Sequence, residues 1–190
     1  FDENGFHLFK NIRSNLPKEL SSYQQVIKRN ENKPFEGIIS CLKGSVKVFA
    51  STICNDDEEK YGPLNVINND SNNIFSSKDE ENSWLIYDFC NHRINIECYE
   101  IKSSDSMKGS SHMKTWNIEG SNNYEEWYII DMNKECEYLN DSNATHTFNI
   151  PNNSHNFYRF IRIRETGPNW KNKHFLKFKQ IEFYGTVIEL

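Results

Sequence analysis

The spacing of apolar residues changes near residue 35. Before that point, apolar side chains recur every three or four positions, which predicts two short amphipathic helices. The residues with this spacing are Leu8, Phe9, Ile12, Leu16, Leu20, Tyr23 and Ile27. Ser14 to Pro17 provide a helix break, and the polar stretch 29–34 predicts a connector. Residues 1–34 are therefore predicted to be a helical extension that packs against the domain after it. The alternatives are packing against an upstream domain and a frayed tail.

From Phe35 onward, apolar residues form short runs separated by polar loops. The run 114–119 is typical, because Trp116 and Ile118 fall on one face of a strand and polar residues on the other. Similar runs lie at 45–51, 84–89, 94–101, 127–131, 145–150, 157–164 and 175–184. Strands at this spacing, with no helices between them, predict an all-β fold, an antiparallel β-sandwich over residues 35–190.

The same patterns predict details of that sandwich. Its core is expected to contain Trp84, Trp116, Ile118, Ile161, Ile163 and Phe183. The alternation slips near Gln180, which predicts a β-bulge in the closing strand.

An ordered set of motifs resembles a known family. The pieces are Ser83-Trp84, Tyr99 to Ser103, His112 to Ser121, Trp127 with Asp131, Phe160 to Arg164, Thr166 to Trp170, and Ile181 to Gly185. Together they resemble the discoidin (F5/8 type C) family, and within it the branch found in intracellular proteins that also carry BTB-type modules. The resemblance covers the chain from about Phe35 onward. It implies a galactose-binding-like jelly roll that serves as a non-catalytic binding module.

Composition narrows the function further. The net charge is −5 with both signs interspersed, unlike the strongly basic chains that bind nucleic acid. No stretch reaches the roughly 20 apolar residues that span a bilayer. The sequence has no nucleophile elbow, phosphate loop or HExxH motif, so we expect no enzyme activity.

The cysteines bear on the compartment. There are five, an odd number, and no two have CxxC spacing. Reduced thiols in an intracellular protein are therefore expected. Secreted discoidin domains often join their first and last strands with a cysteine pair, yet no cysteine lies near Leu190. An extracellular location is the alternative, for which Asn-x-Ser/Thr sequons at Asn69, Asn140, Asn143 and Asn152 are a weak argument.

The resemblance also implies where a ligand would bind. Discoidin domains use loops at one end of the sandwich, which here correspond to Thr52–Tyr61, Asn68–Asp79 and Ser104–Ser111. The candidate ligand-binding residues in or beside them are Asp56, Tyr61, Asn73, Met107, Lys108 and His112. Because the first loop is acidic, strong binding to anionic membranes is not expected.

A calcium ion is the one cofactor for which there are candidates. Some sugar-binding relatives hold a structural calcium near an early loop and a C-terminal glutamate. Asn69, Asp70 and Glu182 match that arrangement loosely, although calcium needs six to eight oxygen ligands. No other cofactor is expected.

Two functions remain open at this point. The first is protein-protein interaction or scaffolding within a larger intracellular protein. The second is extracellular carbohydrate binding or cell adhesion. In either case the partner is a protein or a glycan, and the domain itself is expected to be monomeric, with any oligomerisation arising from upstream domains.

Overall fold

The computed structural model describes residues 23–67, 73–151 and 156–190, and most of its regular elements are strands. The strands are β1 (Tyr23–Ile27), β2 (Lys47–Ala50), β3 (Phe75–Ser76), β4 (Trp84–Asp88), β5 (His92–Lys102), β6 (Thr115–Ser121), β7 (Tyr128–Asn133), β8 (Thr145–Asn149), β9 (Phe160–Gly167), β10 (Lys177–Phe178) and β11 (Gln180–Glu189). Two short helices, α1 (Ile38–Cys41) and α2 (Glu58–Tyr61), and two 3-10 turns, Cys54–Asp56 and Pro63–Val66, lie between them. No helix in the described ranges is long and apolar enough to cross a membrane.

The strands form two facing sheets. Sheet A has the order β1-β11-β5-β8, and sheet B has the order β2-β4-β9-β6-β7. A small third sheet pairs β3 with β10. All the strand pairs are antiparallel. The predicted antiparallel β-sandwich is therefore confirmed.

Every second side chain along the strands points inward, and these side chains fill the space between the two sheets. Of the predicted core residues, Trp116, Ile118, Ile161, Ile163 and Phe183 are fully buried, as expected. The prediction for Trp84 is wrong, because that ring is only half-buried. In β4 the residues opposite Ile163 and Ile161 are Leu85 and Tyr87, and these two point into the core.

The predicted second helix is wrong over Tyr23–Ile27, which forms β1. This segment pairs with Gly185 to Glu189 of β11, and Ile27 is buried. The helical spacing of Leu20, Tyr23 and Ile27 is outweighed by backbone hydrogen bonds to the edge of sheet A, since short isolated helices are marginal in water. The other residues that suggested helices lie outside the described ranges.

The closing segment also differs from its prediction as one strand. It is divided at Lys179, where β10 ends in the small sheet and β11 begins in sheet A. The irregularity within β11 lies at Tyr184 and Gly185 rather than at Gln180. Gly185 has φ of 146°, and a Cβ there would lie 2.1 Å from the carbonyl oxygen of Asn95, so only glycine fits this close approach.

On the outer face of sheet A, Glu182 is almost completely buried beneath α1. Its carboxylate accepts hydrogen bonds from the backbone N–H of Ile39 (2.7 Å), Ser40 (3.0 Å) and Phe183 (2.9 Å), and from the Ser40 hydroxyl (2.7 Å). Burial raises the pKa of Glu182, although these four donors oppose the rise. The carboxylate thereby joins the segment before β2 to the last strand.

On the outer face of sheet B, Glu119 is buried between two arginines. Arg162 Nε lies 2.6 Å from Glu119 Oε2, and Arg164 Nη2 lies 2.6 Å from Oε1. Burial acts to raise the pKa of this carboxyl, but the two guanidinium groups outweigh it and hold the pKa below its usual value. Arg164 also donates to Asn82, so β6, β9 and the turn before β4 are joined.

Candidate functional site

One end of the sandwich carries the loops that sequence reasoning singled out. We call it the loop end; β2 and β9 finish there, and β6 begins there with Thr115 opposite Gly167. A cavity of about 150 Å³, the loop pocket, opens between these loops. Its lining residues are Cys54, Tyr61, Ser76, Ser111, Phe175 and Lys177. Such a volume suits one side chain or one sugar ring.

Lys177 dominates the electrostatics of the loop pocket. Its Nζ donates to the Ser106 hydroxyl at 3.1 Å, and no described carboxylate forms an ion pair with it. Burial lowers the pKa of Lys177, and the charge of nearby Asp105 opposes this. With Tyr61 and Phe175 providing aromatic surface, the pocket presents a cation beside two rings, which suits an anionic group on an apolar stem.

The first loop is held by its own side chains. The Asp57 carboxylate caps α2 by accepting from the backbone N–H of Lys60 at 3.0 Å. Asp56 is exposed and forms an ion pair with Lys78 at 2.7 Å. Asn73, also exposed, donates to the carbonyl of Glu59 at 3.0 Å. Of these residues, Asp56 and Asn73 were predicted to bind ligand. The structure gives both of them contacts that shape the loop on which Tyr61 lies.

The third loop is held from beneath by His112. The ring of His112 is fully buried, and its Nε2 lies 2.9 Å from the carbonyl oxygen of Ser106 and 3.2 Å from that of Met107. His112 is therefore not accessible to a ligand, and the prediction that it contacts one needs correction. Met107, with 79 % of its surface exposed, and Lys108 are at the loop tip and do not line the pocket.

The calcium candidates are not brought together within the described residues. Asn69 and Asp70 lie outside the described ranges, so their part in a calcium site stays a prediction. Glu182 already uses each carboxylate oxygen for two hydrogen bonds, which fills its four lone-pair positions. No group of three or more His, Cys, Asp or Glu in the described ranges could hold a metal ion.

The family of the chain follows from its sequence match. The family model described as Sad1 / UNC-like C-terminal matches residues 47–187, which runs from β2 into β11. The chain belongs to the Sad1/UNC-like C-terminal family. The matched range contains every residue that lines the loop pocket.

Two curated relatives of this Sad1/UNC-like domain are large proteins. The E3 ubiquitin-protein ligase hecd-1 of Caenorhabditis elegans is 22 % identical over 145 residues, which cover 72 % of this chain. The E3 ubiquitin-protein ligase Ufd4 of Drosophila melanogaster is 26 % identical over 138 residues, or 67 % of this chain. In both cases the match spans 5 % of the relative's length.

Solved structures support the discoidin fold of the Sad1/UNC-like domain. CpGH89CBM32-5 from Clostridium perfringens, in complex with GalNAc-β-1,3-galactose, superposes with a TM-score of 0.59 at 12 % identity, covering 75 % of this chain and 96 % of that one. An F5/8 type C domain from Bacteroides fragilis gives 0.58 at 16 % identity, covering 75 % and 92 %. The family 32 CBM of C. perfringens NanJ, in complex with galactose, gives 0.57 at 13 % identity, covering 75 % and 95 %. The chain is thus a discoidin-type domain, while the proposed BTB-associated branch stays a prediction.

Sequence reasoning missed two of the six residues that line the loop pocket, while the other four lie in the three predicted ligand-binding loops. Phe175 and Lys177 were assigned to a long closing strand, and their position at the pocket depends on the division of that strand at Lys179. The available signal was the turn-forming segment 166–170, which predicts a loop just before them. Tyr61 is the one predicted ligand-binding residue that lines the pocket.

Proposed function

We propose that this Sad1/UNC-like domain is a non-catalytic module that binds an acidic segment of a protein partner, within a larger intracellular protein. The observation that carries the proposal is the half-buried ammonium of Lys177, which has a hydroxyl neighbour and no carboxylate partner among the described residues. An acidic side chain or a chain-terminal carboxylate would supply the missing charge. Tyr61 and Phe175 would contact its aliphatic stem.

The size of the relatives supports the modular part of this proposal. A match to 5 % of a long ligase chain suits a recognition unit that serves a separate activity elsewhere in the protein. The intracellular location is favoured by the cysteines, since all five are free thiols in the structure.

Glycan binding is the second candidate. Two fold neighbours were solved with galactose-containing ligands, and the loop pocket has room for about one hexose. Two serine hydroxyls in the pocket, Ser76 and Ser111, suit such a ligand. The half-buried cation favours the acidic ligand, because nearby Asp105 forms no ion pair with Lys177 and a neutral sugar supplies no carboxylate to pair with it.

Binding to peptide and glycan arrays separates the two candidates. We expect the domain to retain blocked peptides rich in Asp and Glu and to reject the matched Asn and Gln peptides. Lys177→Gln should weaken retention about tenfold, the loss of one charge-assisted hydrogen bond. Lys43→Gln, an exposed lysine outside the loop pocket, is the control and should bind like the wild type. Retention of neutral galactosides, unaffected by Lys177→Gln, would contradict the proposal and support glycan binding.

A further inference from the structure

The opposite end of the sandwich has a second pocket of different chemistry. We call it the terminal end, because β1 begins and β11 finishes there. A cavity of about 380 Å³, the terminal pocket, is lined by Asn122, Tyr128, Asn156, Phe157 and Tyr158. The rings of Tyr128 and Tyr158 lie nearly parallel, with their centroids 6.2 Å apart and an angle of 26° between their planes. Tyr128 is 55 % exposed, so part of its ring is open to solvent.

The terminal pocket is held in place by packing and hydrogen bonds. Tyr158 lies over Gly120 so closely that a Cβ there would be 2.4 Å from the ring. The Asn122 side chain donates to the carbonyl of Phe157 and accepts from the backbone N–H of Arg159, both at 2.9 Å. Both ends of that amide are used to hold the wall, which leaves the exposed ring of Tyr128 as the main recognition surface.

The turn that joins two lining residues of the terminal pocket is acidic. The turn between Asn122 and Tyr128 exposes Glu125 and Glu126, whose backbone N–H groups both donate to the Asn123 side-chain oxygen. Neither carboxylate forms an ion pair with a described residue. The turn is thus fixed by its own hydrogen bonds while its two charges remain available.

Two arginines at this end of sheet B already have carboxylate partners. Arg159 binds both oxygens of Asp88, at 2.7 and 2.9 Å, and lies over the Phe160 ring. Arg162 is paired with Glu119, and its guanidinium lies 4.0 Å from the centroid of Trp127. These two guanidinium groups lie over the rings of Phe160 and Trp127, and neither lies over Tyr128.

We propose that the terminal pocket receives a lysine or arginine side chain from a basic segment of a partner protein. The negative face of the exposed Tyr128 ring attracts a cation, and most strongly where water is partly excluded. The negative charges of Glu125 and Glu126, in the turn that leads into Tyr128, also attract a cation, and the net charge of −5 favours approach of a basic partner. The guanidinium of Arg162 over the ring of Trp127 is an example of such a cation–aromatic contact within this chain. The site is separate from the loop pocket, so it does not depend on the function proposed above.

Nuclear magnetic resonance titration with a defined probe tests the proposal. The probe is the blocked pentapeptide Arg-Gly-Arg-Gly-Arg, and its match is the same peptide with neutral citrulline in place of arginine. We expect the arginine peptide to shift the amide signals of Tyr128, Phe157 and Tyr158 in a saturable way. The citrulline peptide should bind at least tenfold more weakly.

Variants assign the effect to the pocket. Tyr128→Ala should weaken binding about tenfold, whereas Tyr128→Phe keeps the ring and should stay within about twofold of the wild type. Changing both Glu125 and Glu126 to Gln should weaken binding about threefold and reduce its salt dependence. The control is Tyr138→Ala, an exposed tyrosine outside the pocket.

Three outcomes would overturn the proposal. They are equal binding of the citrulline peptide, wild-type affinity in Tyr128→Ala, and signal shifts confined to the loop end. A neutral oligosaccharide that saturates the same three amide signals would also overturn it, by assigning the pocket to a glycan. Tyr128 is largely exposed, and unchanged melting of Tyr128→Ala and Tyr128→Phe would establish that both variants fold.

Discussion

Glu182 on sheet A and Glu119 on sheet B each have 2 % of their surface exposed. They are stabilised by different partners. Glu182 receives three backbone N–H groups and one hydroxyl, all neutral, from α1 and its own strand. Glu119 receives two charged guanidinium groups from β9. One face of the sandwich is therefore closed by a segment of chain, and the other by long side chains.

The difference lies in what each set of donors can do when the carboxylate is absent. Backbone N–H groups in α1 are fixed by the fold and would be left buried without an acceptor. The arginine side chains are partly exposed and can turn toward water. The two faces should therefore respond to mutation by different amounts, and to pH with opposite signs.

The largest loss of folding stability is expected from Glu182→Ala. This change leaves the N–H groups of Ile39, Ser40 and Phe183 without their acceptor, at a cost of about 1–3 kcal/mol for each donor that water cannot reach. We expect a loss of about 4 kcal/mol in the free energy of unfolding, measured by urea denaturation. The matched control is Glu189→Ala, an exposed glutamate of the same strand, which should change little. Equal losses in the two variants would mean that α1 does not depend on Glu182.

A smaller effect is expected from Glu119→Gln. The two arginines lose their counter-charge but can reach solvent, so we expect a loss of about 2 kcal/mol. A double-mutant cycle with Arg164→Met measures the coupling directly. Glu135→Gln is the control, because the Lys114–Glu135 pair is a single exposed contact at 3.2 Å. Zero coupling between Glu119 and Arg164 would show that arginine packing alone covers this face.

The smallest effect is a dependence on pH. The difference in the free energy of unfolding between the wild type and each glutamine variant should change with pH by an amount on the order of 1 kcal/mol. The pKa of Glu182 is raised by burial, so the folded state binds a proton more readily than the unfolded state. As the pH falls through the folded pKa toward 4.5, the wild type should gain stability relative to Glu182→Gln. The pKa of Glu119 is lowered, so the stability of the wild type over Glu119→Gln should be constant above 4.5 and be lost below it. Urea denaturation between about pH 3 and pH 7 measures both; changes of the same sign would refute the contrast.

Much of the sandwich could be predicted because strand alternation is a local signal. Trp116 and Ile118 were placed correctly from period-two spacing alone. Trp84 was not, because β4 is apolar on both faces and only its pairing with β9 decides which side points inward. Tyr23–Ile27 was missed for a related reason, since its partner is at the far end of the chain.

The loop pocket was less predictable, because its parts come from distant segments. The resemblance put Tyr61 in a ligand-binding loop; it lies at the end of α2 and lines the pocket, while its part in binding stays a prediction. Lys177 required knowing that β10 leaves the closing strand to pair with β3, and no local pattern reports such a change. His112 was assigned to a ligand because polar loop residues are usually exposed, whereas here it holds the loop from inside.

The pairing of β1 with β11 has a consequence for how this domain can be built into a larger chain. Tyr23 lies directly opposite Glu189, so these two positions of the described sandwich are side by side. Directly opposed residues of antiparallel strands are separated by about 5 Å. A host protein could therefore carry the domain as an insertion in one of its surface loops. The two host elements on either side of the insertion would remain almost in contact. A force applied to the ends of the insertion would separate β1 from β11, one residue pair at a time, before it acted on the rest of the sandwich.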